Sequence, residues 1–222
     1  MSSTTNIERL TLDTFSDIAG SVIAPDDPDY DKARTVFYGG IDKRPAAIVR
    51  VASAEDIQRV VRIARDGGHE LAIRSGGHSI AGSSTTDGGI VIDLRDMSAV
   101  EVDPADRTAW VETGATAIRV TEVLAKHGLV LGFGDSGSVG VGGITLGGGI
   151  GFLVRKWGLT IDSVLAAEVA ATSASSRASS SGSMSCRSLP AASSYFRRLP
   201  KRSTGSSRRR SPRRKSCRRS AT

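Results

Sequence analysis

After Glu168 the chain contains no aspartate or glutamate, and before Cys186 it contains no cysteine. With Cys186 and Cys217 both in the C-terminal stretch, the first 169 residues have no disulfide framework. No apolar run approaches the ~18 residues that a membrane-spanning helix needs. The opening Met1-Ser2-Ser3-Thr4-Thr5 is polar and lacks the pattern of a secretory leader. The expectation is a cytoplasmic protein with no membrane partner. Only three histidines occur, His69, His78 and His127, and with the scattered carboxylates they show no metal-ligand spacing.

The net charge of +7 hides two opposite parts. Up to Val169, 16 basic residues face 23 acidic ones, a balance of −7; the 14 basic residues of the remaining 53 give +14. Such an asymmetry demands an account before any function is assigned.

The acidic part is long enough for one domain. Ala46–Val51 has the pattern of a strand. Ser53 then stands as an N-cap before the acidic Ala54-Glu55-Asp56, and Ile57, Val60, Val61 and Ala64 share one helical face. Gly67-Gly68 closes that helix, and Glu70–Ile73 forms the next strand. Gly89–Leu94 predicts a further strand. Val100–Val102 and Thr108–Thr113 predict a hairpin across Asp103–Asp106, and Ile118–His127 a helix closed by Gly128. Crossover and hairpin strands together point to an α+β fold.

Two glycine-rich blocks stand out. The first, Arg74-Ser75-Gly76-Gly77-His78-Ser79, leaves the strand at its C-terminal end, where open α/β sheets bind ligands. Its adjacent glycines permit positive φ, its amides can form an anion-binding nest, and Arg74 adds a planar cation. His78 places an imidazole at the mouth of the same turn. A phosphorylated cofactor beside a nucleophilic ring, with covalent attachment, fits this arrangement. The second block runs from Gly132 to Gly151. Its interleaved Val139, Val141, Ile144, Leu146 and Ile150 distinguish it from a flexible spacer. Gly132-Phe133-Gly134-Asp135-Ser136-Gly137 matches a dinucleotide fingerprint in letters, but Ser138–Gly143 makes a poor helix start, which argues against a nicotinamide site.

Over about residues 30 to 169 these blocks, with Val139-Gly140-Val141-Gly142-Gly143, Leu146-Gly147-Gly148-Gly149-Ile150-Gly151 and Lys156–Ser163, resemble one family. It is the FAD-binding module of the vanillyl-alcohol oxidase / p-cresol methylhydroxylase (PCMH) type, in its berberine-bridge-enzyme-like subgroup. The resemblance implies a PCMH-type domain of two α/β subdomains at 36–169, incomplete, with a preceding segment at 1–35 and the substrate domain missing. It implies FAD linked through His78 to the flavin 8α-methyl. The residues it assigns to FAD are Arg74, Ser75, Gly76, Gly77, His78, Ser79 and Gly82 in the first block. In the second they are Ser136, Val139, Gly140, Gly143, Thr145, Gly148, Gly149 and Gly151. The first-block amides would hold the diphosphate, and the second block would follow the flavin ring and ribityl chain. Some members carry a second flavin bond through a cysteine where this chain has Ser136, so a single linkage is implied. The implied parent activity is flavin-dependent oxidation of a small-molecule substrate, with hydride passing to flavin N5 and oxygen as acceptor. The catalytic base of the family lies in a C-terminal half absent here, so no catalytic residue is assigned.

Elsewhere the expectations are structural. Asp93 and Asp96 read as turn caps, His69 and His127 as solvated or capping residues, Trp157 as a packed side chain, and Asp162 as a loop anchor. From Ala170 to Thr222 the Ser/Arg-rich composition cannot bury a core and predicts a disordered tail. Ser207-Arg208-Arg209-Arg210-Ser211 would suit a nucleic-acid-binding arm on a non-catalytic flavin-like module, the alternative function. The preferred explanation is a shifted reading frame. GC-rich codons for Ala171–Met184, read one frame over, give Gly-Asn-Phe-Gly-Ile-Val-Thr-Arg-Phe, the strand that follows in the resembled family. Nucleic acid is then not an expected partner.

Overall fold

The computed structural model describes residues 10–170 and, as backbone, 191–196. Two four-stranded sheets organise it. In the first, β1 (Ser21–Ile23) runs antiparallel to β2 (Ala47–Arg50), while β4 (Ile90–Asp93) lies parallel between β2 and β3 (Leu71–Arg74). Helix α1 (Tyr30–Arg34) precedes β2, and α2 (Ala54–Asp66) crosses from β2 to β3 over the intervening β4.

Strand β4 is buried at all four positions because both faces are covered. Ile90 and Ile92 pack with Val49, Val51, Ile57 and Val60, whereas Val91 turns to Ile48, Ala72, Ile23 and Tyr30. The side-chain period of two thus separates two cores within one strand. On α2, Ser53 Oγ accepts the Asp56 amide at 3.2 Å, as the capping pattern predicts, and Ile57, Val60 and Ala64 are the buried stripe. Asp56 does more than acidify the first turn. It is fully buried, and its carboxylate accepts the amides of Ala19, Gly20 and Ala52 at 2.9, 3.1 and 3.0 Å. That fastens the segment around β1 to the sheet.

The second sheet is antiparallel, in the order β5 (Val100–Asp103), β6 (Thr108–Val111), β8 (Ala191–Phe196), β7 (Val164–Ala170). In the predicted hairpin, Asp103 Oδ1 accepts the Ala105 and Asp106 amides, and Arg107 takes φ +57°. Val111, Val120, Leu124, Leu131, Phe133 and Val141 form the core beneath α3 (Ala117–Ala125). Two short helices follow, α4 (Val141–Leu146) and α5 (Val154–Trp157).

Three expectations need correction, and one is extended. Residues 191–196 form β8, so structure is present inside the stretch expected to lack it; this segment has no arginine and ends in Tyr195-Phe196, residues that suit strands. The shifted-frame motif at 171–184 lies outside the described residues. A helix does begin at Val141, because the Val141 and Gly142 amides find the carbonyls of Ala115 and Thr113 at 2.8 and 3.1 Å. No residue of α5 is buried, and Trp157 is half-exposed with Lys156 Nζ 4.9 Å from its ring centroid. Asp93 caps its turn as expected, its Oδ1 accepting the Arg95 amide at 3.2 Å, and it is also a fully buried charge, described below. Among the described residues no helix is long and apolar enough to cross a membrane, and no cluster of three or more His, Cys, Asp or Glu side chains is placed to hold a metal.

Candidate functional site

The parallel strands β2, β4 and β3 end in one row, Arg50, Asp93 and Arg74 in register. Arg74 is 1% exposed, and its Nη2 donates to Asp93 Oδ2 at 2.8 Å. Arg95 Nε lies 2.7 Å from the same oxygen. Burial pulls the Arg74 pKa below the ordinary guanidinium value, and Asp93 opposes the shift. The planar cation expected at the turn is therefore buried and paired. Asp93 neutralises most of its charge, although Nε and Nη1 keep no hydrogen-bond partner among the described residues. The ion pair sits under the turn and fixes its origin.

From Arg74 the chain enters Ser75-Gly76-Gly77-His78. Gly77 has φ +72°, a conformation that favours glycine, and its carbonyl accepts the Phe37 amide at 3.1 Å. Ser75 Oγ donates to the Thr113 carbonyl. Gly76 lies against Gly140: a Cβ on Gly76 would stand 2.2 Å from the Gly140 nitrogen. The two glycine blocks therefore meet backbone to backbone. His78 Nε2 is 2.9 Å from Ser138 Oγ, which is 3.2 Å from Ser136 Oγ. The imidazole stacks on Phe37 with centroids 4.0 Å apart and planes at 20°. Ser79 and Gly82 close the far side of the turn: Ser79 Oγ accepts the Ser83 amide and the Ser79 carbonyl accepts that of Gly82. A cavity of about 410 Å³ opens beside the turn, walled by Phe37, Ser75–His78 and Ser138, with Arg95 and Arg119 also in its lining.

Residues 45–175, more than half of the chain, match the FAD binding domain family. The chain belongs to that family. It is 41% identical over 156 residues to (R)-6-hydroxynicotine oxidase of Paenarthrobacter nicotinovorans, covering 70% of this chain and 34% of that protein. It is 34% identical over 170 residues to reticuline oxidase of Eschscholzia californica, covering 71% and 32%. The solved glucooligosaccharide oxidase of Acremonium strictum, described with a 6-S-cysteinyl, 8α-N1-histidyl FAD, superposes with a TM-score of 0.68 at 31% identity, over 72% of this chain and 34% of that one. The chain thus carries the FAD-binding domain of FAD-linked oxidoreductases and spans about a third of the length of these relatives.

The rest of this FAD-binding domain's second block divides in two. Val139 and Gly140 are tied to α3, where the Ala117 amide donates to the Val139 carbonyl at 2.9 Å, and Gly140 leads into α4. Gly143 on α4 is exposed, and nothing among the described residues lies within 4 Å of the position a Cβ would take. A helix-interior glycine costs about 1 kcal/mol against alanine, and no packing contact among the described residues accounts for this one. Thr145, 5% exposed, has a hydroxyl with no hydrogen-bond partner among the described residues. Gly148 and Gly149 turn the chain out of α4 with φ +93° and +78°. Gly149 and Gly151 differ from Gly143 in that their Cβ positions are already filled, by Thr160 and by the Phe133 carbonyl. Leu146, Ile150 and Phe152 stand 66, 74 and 88% exposed along this stretch.

Sequence reasoning missed Phe37 and Ser138 as partners of His78, and Asp93 as the partner of Arg74. Ser138 lay inside the second block, two positions before the Gly-Val-Gly-Gly run, but a serine among glycines carries no distinctive signal. Phe37-Tyr38 was visible as a rare aromatic pair.

Proposed function

We propose that this chain binds FAD through the two glycine blocks and that His78 is the covalent attachment point. The convergence of His78, Ser138 and Ser136 beside the Gly76–Gly140 contact carries the reading. The Gly76-Gly77 amides, opened by positive φ at Gly77, suit the diphosphate. Gly143 and Thr145 offer an open backbone and an unpaired hydroxyl to the flavin and its ribityl chain. Bound FAD would supply a hydride acceptor for a substrate carbon and return the electrons to oxygen. Residues of this chain hold and orient it: Phe37 fixes the plane of the imidazole, Gly76 and Gly140 lock the two loops, and the Arg74–Asp93 pair sets the height of the turn. Ser136 offers no thiol, so the linkage is single. The activity that this domain serves is oxidation of an alcohol, a sugar or a secondary metabolite, as in the oxidases it resembles. Expression of the 222-residue chain, followed by acid precipitation and a flavin spectrum of the pellet, tests the reading. Yellow protein in the wild type and colourless protein in His78→Ala support it; colourless wild-type protein contradicts it.

A further inference from the structure

The two nitrogens of His78 have different surroundings. Nε2 is held 2.9 Å from Ser138 Oγ, whereas Nδ1 makes no hydrogen bond among the described residues. Any carbon approaching Nε2 would have to displace the Ser138 hydroxyl; Nδ1 has no such obstacle. The Ser138 oxygen is in turn 3.2 Å from Ser136 Oγ. A hydroxyl both accepts and donates, so Ser138 can accept Nε2–H while giving its own proton to Ser136. That direction keeps the imidazole in the Nε2–H tautomer and leaves the lone pair on Nδ1, since the bond made by one ring nitrogen decides the state of the other. The stacked Phe37 ring confines rotation to the plane in which this hydrogen bond is made.

We infer that Ser138 is a positioning residue for flavin attachment. By accepting Nε2–H it presents Nδ1 of His78 as the nucleophile, and it gives the ring proton an exit toward Ser136. The inference rests on the reading that FAD attaches at His78. The step balances as follows. One C–H bond of the flavin 8α-methyl and the imidazole Nε2–H bond are lost, and one bond between the 8α carbon and Nδ1 is made. Two protons leave, one from the methyl group and one from Nε2 by way of Ser138. The two electrons left on the flavin pass to molecular oxygen, which takes up two protons and becomes hydrogen peroxide.

The test uses the whole chain as wild type, Ser138→Ala, Ser138→Thr and His78→Ala, each produced free of flavin in riboflavin-starved cells and then given FAD in air. Three quantities are read: initial non-covalent FAD affinity, the rate at which flavin becomes acid-stable, and the imidazole tautomer from nitrogen-15 shifts of the flavin-free protein. Ser138→Ala is expected, at saturating FAD, to attach flavin roughly tenfold more slowly, about 1.4 kcal/mol, the scale of one hydrogen bond. Its His78 is expected to become a tautomer mixture, while Ser138→Thr restores both properties. A merely structural serine would change affinity and leave the tautomer alone. Attachment at the wild-type rate in Ser138→Ala, or an Nδ1–H tautomer in the wild type, overturns the inference. If no variant acquires acid-stable flavin, the attachment reading falls, and the inference that depends on it falls too; the tautomer spectra then report separately whether Ser138 orients the ring.

Discussion

Gly76 and Gly140 approach so closely that a Cβ on either would lie 2.2 Å from the amide nitrogen of the other. One ends the parallel sheet of the first layer, and the other opens α4 above the second. The contact is what turns two separate glycine-rich stretches into one site. Gly76→Ala or Gly140→Ala must part the loops, because the atoms in the way belong to the backbone. Each is expected to lose about 3 kcal/mol, the upper end of overpacking costs, measured by urea denaturation, and to lose flavin uptake with it.

Gly143→Ala separates a ligand role from a structural one. Its Cβ meets nothing in the protein, and alanine is the better helix former. Urea denaturation of the flavin-free protein is expected to show a gain of about 0.8 kcal/mol, while FAD affinity by fluorescence titration falls. Unchanged affinity would remove Gly143 from the site.

The Arg74–Asp93 pair is buried on both sides, so removing one partner strands the other. Asp93→Ala is expected to cost about 4 kcal/mol, and Arg95→Ala far less, since Arg95 is partly exposed at the rim of the pair. A double replacement of Arg74 and Asp93 by methionine and leucine should cost less than Asp93→Ala alone. Denaturation midpoints of the three variants check the order.

Asp56 gathers three backbone amides from Ala19, Gly20 and Ala52. Asp56→Ala leaves those donors unpaired and is expected to cost about 3 kcal/mol. Hydrogen exchange should show the loss first at residues 19–23, where β1 joins the sheet.

Local signals announced the elements that depend on local chemistry. Ser53 and the 57–60–64 stripe announced α2, the alternation of 100–102 and 108–111 announced the hairpin, and the glycine pair at 76–77 announced the turn. What was illegible depends on contacts distant in sequence. Strand β4 sits between β2 and β3, an order no single strand reveals. Helix α4 contains Gly142-Gly143 and exists because the carbonyls of Thr113 and Ala115 satisfy its first amides. Asp93 read as a turn cap and Asp56 as a first-turn acid, and neither reading carried their burial, which is decided by what packs over a residue rather than by its neighbours in the chain. The first-block motif identified His78, but its partners Phe37 and Ser138 arrive from two other segments.

The most direct measurement is the flavin spectrum of acid-precipitated, protease-digested protein. The account predicts that absorbance stays with a peptide containing His78 in the wild type and is absent in His78→Ala. Flavin released wholly into the supernatant of the wild type, or retained equally in His78→Ala, would contradict it.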